Sequence, residues 1–251
     1  MNAHIGLRET EPLVAGSRAG CAICLGLAFN VCSAANAATP PNVLTPLRQS
    51  GHTVPARRII WRGPDMHDVV PVICSGWAAA IVMLSDGSRQ IVSFLLPGDM
   101  ASTTMLFDAK PYCQVEAITE VRYRSFNRGE LKAMLFKHPA LLERFTSAWV
   151  DEKTRADQLI VDLGRRTADE RIARLILNLL DRLSKLDLVR GEPAEFDFPL
   201  RQHHIADATG LTPVHVSKVL SEFRRNGLIN ISERSLTILD APGLRRVAQM
   251  R

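Results

Sequence analysis

The sequence predicts an α+β fold in three parts: a β jelly roll, a long helix, and a winged helix-turn-helix. Three observations predict it. Short apolar runs separated by turn signals fill residues 59–126, one long amphipathic pattern runs from Pro139 to about Gly164, and two short helical patterns meet at Gly210.

The last of these is the most specific. In the stretch LRQHHIADATGLTPVHVSKVLSEFRRN, Ile205 and Ala206 form the inward side of a first helix, and Gly210 supplies a turn that needs positive φ. Thr212 is a good N-cap and Pro213 suits the first helical position. Val216, Val219, Leu220 and Phe223 then make one buried stripe, leaving Val214, His215, Ser217, Lys218, Ser221 and Arg225 on the other face. An ordinary helical hairpin has the same amphipathicity. The small residue, glycine and β-branched positions nevertheless fall where a DNA-reading helix-turn-helix needs them.

Charge points the same way. Residues 200–251 hold eight Lys/Arg against four Asp/Glu, which is +4 of the whole chain's +5. A basic module of this kind suits phosphate binding. With 251 residues, 46% hydrophobic and 23% charged, the chain is long enough for two globular domains with their own cores. The five cysteines, Cys21, Cys24, Cys32, Cys74 and Cys113, do not make an even disulfide framework. The apolar segment Ala19–Ala38 has the look of a signal peptide, but it starts well inside the chain and is interrupted by Asn30 and Asn36. A cytoplasmic protein with no membrane partner is expected.

Taken in order, residues 1–40 form an irregular extension ending at Pro40-Pro41, followed by a short helix from Val43 to about Gln49. Strands are expected at Ile59–Trp61, Val69–Cys74, Gly76–Leu84, Gln90–Leu96, Cys113–Ile118 and Val121–Phe126. Turn signals separate them at Gly63-Pro64, Ser75-Gly76, Asp86-Gly87 and Pro97-Gly98-Asp99. The β-barrel is assigned to residues 41–136 and the long helix to 137–165. In that helix Leu142, Phe145, Trp149, Ala156, Leu159 and Leu163 follow three- and four-residue steps, with Glu152 at the polar position of the seam. The seam predicts a homodimer; packing on the helix's own barrel accounts for part of the same stripe. Residues 166–251 form the last domain. It begins with a helix at Thr167–Leu186, followed by a linker at Asp187–Glu195 and, after the second helix of the motif, a wing at Leu228–Ile231 and Leu236–Leu239.

The segments GLTPVHVSKVLSEFRRNGLI, RRTADERIARLILNLL and LLPGD, in a barrel–helix–winged-helix order, resemble the Crp/Fnr family of bacterial transcription regulators over about residues 20–250. The resemblance implies a cyclic-nucleotide-binding-like barrel and a dimer on a palindromic double-stranded DNA operator. It also implies RNA polymerase as a further partner, and no enzymatic activity. His203, His204 and His215 have no carboxylate or Cys partner at catalytic or metal spacing.

Nucleotide-binding members carry a Gly-Glu pair and an Arg-Ser pair after the Gly-Asp turn. Here those positions fall at Ser102 and Thr103, and near Pro111 and Tyr112. A cyclic phosphate then lacks its guanidinium, and Lys110 is only a point charge, so cyclic AMP is not expected. The spacing Cys21-x2-Cys24-x7-Cys32 resembles the cysteines that hold a [4Fe-4S] cluster in Fnr-type oxygen sensors. The family's fourth cysteine is absent from VRYRSF, where Tyr123 or Arg124 stands, and Cys113 is the nearest substitute, followed by Cys74. A thiol switch and inert buried cysteines are the alternatives. The expectation is a response to oxygen or redox state. The rival is a cofactor-free regulator, or one answering to a small molecule or cyclic nucleotide.

The resemblance places base reading at Pro213, Val214, Ser217 and Lys218. Lys218 can donate to guanine O6/N7, and Val214 can meet a thymine methyl. His215 is a base or phosphate candidate, as Arg201, Arg224 and Arg225 are for phosphates.

Overall fold

The structure is a computed structural model that describes residues 49–62, 68–107 and 113–249. By its contacts the chain divides into two units: residues up to Val82 with Ser93–Glu152, and Met83–Val92 with the segment from Lys153 onward.

The strands up to Asn127 form two sheets. β1 (Gln49–Val54), β7 (Val121–Asn127) and β3 (Val69–Ser75) form one, in that order; β2 (Ile59–Trp61), β6 (Gln114–Ala117), β4 (Ala78–Met83) and β5 (Arg89–Leu95) form the other. The expected strands are therefore present. β1 was not expected; the short helix expected from Val43 to about Gln49 lies, apart from Gln49 itself, outside the described residues. β1 is a polar edge strand whose pairing to β7 sets His52 opposite Tyr123, with rings stacked at 4.7 Å.

The turns explain themselves locally. At Asp86-Gly87, the Asp86 carboxylate accepts from Ser88 N at 2.9 Å and Ser88 Oγ at 2.6 Å, and Gly87 has φ +84°. At Pro97-Gly98-Asp99, Gly98 has φ +92° and Asp99 Oδ2 accepts from Leu96 N at 2.7 Å.

A helix absent from the sequence reading, α1 (Arg128–Lys137), follows β7 directly, and its N-cap Asn127 accepts from Glu130 N at 3.0 Å. The long helix α2 (Pro139–Arg165) begins after one intervening residue. Its first turns close the barrel core: Leu141 and Phe145 are buried with Val70, Val72, Leu106, Phe126, Leu131 and Leu135. No helix among the described residues is long and apolar enough to cross a membrane.

In the second unit, α3 (Ala168–Ser184) starts with a reciprocal capping box between Thr167 and Glu170. It buries Ile172, Ile176, Leu179 and Leu183, as the sequence predicts, while Leu175 and Leu180 are half-buried. The expected linker is a correction. Within it β8 (Val189–Arg190) and β9 (Glu195–Asp197) pair, and β9 joins the wing strands β11 (Ser235–Ile238) and β10 (Ile229–Ser232) in one sheet. Phe196 fills the space beneath it at 0% exposure, which fixes the segment. The chain ends in α6 (Ala241–Val247), capped by Asp240 Oδ1 on Gly243 N, a helix the sequence reading also missed.

Candidate nucleic-acid interface

The two helices of the motif are α4 (Gln202–Thr209) and α5 (Pro213–Arg225). Gly210 joins them with φ +65°, and a Cβ there would come within 3.2 Å of Leu163 Cδ2. Both facts favour glycine. Thr212 Oγ1 accepts from His215 N at 3.3 Å, and Pro213 occupies the first turn.

Behind the turn, α3 provides the brace. Arg171 Nη1 donates to Thr209 O at 3.0 Å while its Nε donates to Arg166 O at 2.9 Å. Asp162 accepts from Arg174 Nε at 2.7 Å and lies 3.0 Å from Arg166 Nε. On α4, Asp207 pairs with Arg89 at 3.5 Å, and Gln90 Nε2 donates to Ala208 O at 3.4 Å.

His204 is buried, with Nδ1 accepting from Arg201 N at 3.1 Å. Burial first, then the nearby charges of His203, Arg89 and Arg201, hold its pKa down to about 4, so the ring is neutral at physiological pH. It is a structural residue of the helix start, while His203 beside it is exposed.

α5 sorts its side chains cleanly. Val216, Val219, Leu220 and Phe223 are buried. Pro213, Val214, His215, Lys218, Arg224 and Arg225 are exposed, and Ser217 is half-buried. Val214 is 80% exposed, an apolar side chain with no role in its own core. Arg224 Nη2 donates to Ser221 Oγ at 3.3 Å, and Arg225 lies 3.8 Å from Glu222. Arg201 is exposed at the start of α4, and Thr212 at the start of α5. The structure thus gathers Thr212, Pro213, Val214, His215 and Lys218 on one exposed patch of the first two turns of α5.

The expected seam on α2 splits. Phe145 is buried edge-to-face against Phe107 at 5.9 Å, Leu142 packs on the same core, and Leu163 packs against the Gly210 turn. Those three face their own units because Phe107 and Gly210, distant in sequence, lie opposite them. Of the seam, Trp149 (51%) and Ala156 remain exposed and Leu159 is half-buried; Ile160 (69%), Val150 and Val161, which the expected seam did not include, are exposed as well.

Of the degenerate nucleotide positions, Pro111 and Tyr112 lie outside the described residues, as does Lys110. Ser102 and Thr103 open a 3-10 turn at Thr103–Phe107, and both bond Glu152 of α2: Ser102 Oγ donates to Oε1 at 3.2 Å and Thr103 N to Oε2 at 3.0 Å. Glu152 therefore faces its own barrel.

Cys21, Cys24 and Cys32 lie outside the described residues. Cys113 is buried, and burial, then the charge of Glu152, push its thiol up despite an opposing backbone hydrogen bond. A cluster ligand is a thiolate, so a thiol in this environment would have to give up its proton to a bound iron. Among the described residues no group of three or more His, Cys, Asp or Glu is placed to hold a metal ion. Tyr123, in the strand where the family's cysteine is looked for, is buried and its phenol is pushed up by that burial.

Comparison with known proteins yields two domain matches: a Crp-like helix-turn-helix domain at residues 170–247 and a cyclic nucleotide-binding domain at residues 52–138. The transcriptional activator protein FnrL of Cereibacter sphaeroides is 33% identical over 196 residues, 76% of this chain and 74% of its own. An anaerobic regulatory protein of Haemophilus influenzae is 28% identical over 74% of this chain and 72% of its own. The solved structure of FixK2 from Bradyrhizobium japonicum shares the fold with a TM-score of 0.68, covering 80% of this chain and 98% of that one at 24% identity.

Proposed function

The chain belongs to the Crp/Fnr family of bacterial transcription regulators and is not an enzyme, and we propose that it acts as a homodimer reading a palindromic DNA operator with α5. The observation that carries this reading is the division of α5: one face locked into the core, the other offering Val214, His215 and Lys218 to solvent at the helix start. That is the part of a recognition helix that meets base edges. The stripe of Trp149, Ala156 and Ile160 on α2 supplies an apolar face for a second copy, whose helix would lie roughly 34 Å from the first along DNA.

The signal we propose is oxygen or redox state, resting on the Cys21-x2-Cys24-x7-Cys32 spacing and on similarity to a relative named as an anaerobic regulator. The fourth ligand in this reading is Cys113, with Cys74 the next candidate. The rival is a cofactor-free regulator, favoured by Glu152 holding the groups at Ser102 and Thr103, and beside it one answering to a small molecule or cyclic nucleotide.

Two experiments test the reading. Selection from random double-stranded DNA is expected to return an inverted repeat bound by two chains; recovery of no common sequence overturns it. Anaerobic purification with iron and sulfide analysis addresses the signal. A brown protein that bleaches in air supports oxygen sensing, whereas an iron-free protein whose DNA affinity ignores both air and thiol reductants removes it.

A further inference from the structure

We infer that Glu152 is a built-in ligand of the barrel: its carboxylate ties α2 to Ser102 and Thr103 and closes this spot to anionic ligands. This deepens the proposed regulator and rests on that reading for its effect on DNA.

Glu152 is separated from these partners by about fifty residues of chain, yet both carboxylate oxygens are engaged, one by a hydroxyl and one by a backbone N–H. Hydrogen bonds to an ionised acceptor are the stronger kind. The partners are themselves fixed. Ser102 Oγ also accepts from Thr104 N at 3.3 Å, and Thr103 is 5% exposed at the head of the 3-10 turn that carries buried Met105 and Leu106. Through that turn the contact reaches the core containing Phe126 and Phe145.

Thr103 Oγ1 is buried without a hydrogen-bond partner among the described residues. The environment is thus polar but incompletely satisfied, with one negative charge already seated. A phosphate or carboxylate approaching Ser102 Oγ and Thr103 N–H meets donors already used and a like charge beside them. The Glu152 position is also the one polar step in the long apolar stripe of α2, and its orientation toward the barrel explains why a charge is placed there.

The test uses the full chain and two independent readouts. The first is amide hydrogen exchange across residues 101–107. Glu152→Ala is expected to raise exchange there at least tenfold, and Glu152→Gln, which keeps one acceptor oxygen, to raise it less. Unchanged exchange in Glu152→Ala overturns the tether whether or not the protein binds DNA. The second is affinity for the selected operator with no small molecule present. Glu152→Ala and Ser102→Ala are each expected to weaken it, with Ser102→Ala adding nothing in the Glu152→Ala background; full additivity means that Glu152 acts through another contact. Cyclic AMP, titrated calorimetrically into the unmodified chain, is expected to give no binding heat, and saturable binding overturns the closed spot. Should Glu152→Ala fail to fold, Glu152→Gln and Ser102→Ala carry the same comparisons. If the unmodified chain binds no DNA, the regulator reading fails, and the exchange result still decides the tether.

Discussion

Arg171 grips the carbonyl of Thr209 at 3.0 Å and the carbonyl of Arg166 at 2.9 Å, so one guanidinium joins the start of α3 to the turn of the helix-turn-helix. The turn is therefore not held by Gly210 alone. Arg171→Ala is expected to destabilise this unit by about 1.5–3 kcal/mol, the usual range for a hydrogen bond to a charged group. Arg171→Lys is expected to restore little of it, because a single ammonium cannot replace the two donors in their fork. Urea unfolding of the three proteins measures the effect, and a fully stable Arg171→Lys would contradict it.

His204 makes stability depend on pH. Its pKa is about 4 in the folded chain against 6.5 ordinarily, so between those values the unfolded chain takes up a proton that the folded one refuses. Stability from this group is complete above pH 6.5 and is lost as pH falls toward 4. The loss is on the order of 3 kcal/mol at the acid end. The sign follows from geometry as well, since a protonated Nδ1 could no longer accept from Arg201 N. Unfolding measured from pH 7 to 4 is expected to show a shallower decline in His204→Gln than in the unmodified chain; parallel curves would contradict the assignment.

Much of the helix-turn-helix was legible because its determinants are local. Gly210, Thr212, Pro213 and the stripe from Val216 to Phe223 lie within one short stretch and act on their immediate neighbours. The strands Val69–Ser75 and Arg89–Leu95 were legible for the same reason, being apolar runs between glycine turns. β1 was not, since Ser50, Gly51 and His52 carry no strand pattern and only pairing with β7 orders them. β8 and β9 hid behind Gly191 and Pro193, which read as linker, although Phe196 is an apolar clue to a buried strand. Asn127 followed by Glu130 was an available start signal for α1. The site was legible in residue identity but not in direction. Nothing in a seven-residue repeat says that Phe145 meets Phe107 or that Glu152 turns toward Ser102, because both partners are far away in sequence.

The split of the α2 stripe gives opposite outcomes for neighbouring residues. Phe145→Ala is expected to cost about 3–5 kcal/mol of stability, as for other buried aromatic side chains. Ile160→Glu, at a position 69% exposed, is expected to leave the circular dichroism of the chain unchanged while sedimentation shifts toward the monomer. If Ile160→Glu stays dimeric, the apolar stripe serves something other than a second copy.

The most direct test of base reading by α5 is Lys218→Ala, compared on the selected operator and on random DNA at one salt concentration. Lys218 is exposed on the recognition face, beside Val214 and His215. A base contact predicts that about 1–3 kcal/mol of the preference for the operator is lost, with little change on random DNA. Equal weakening on both would mean that Lys218 touches only phosphate, and would contradict the assignment of sequence recognition to this face.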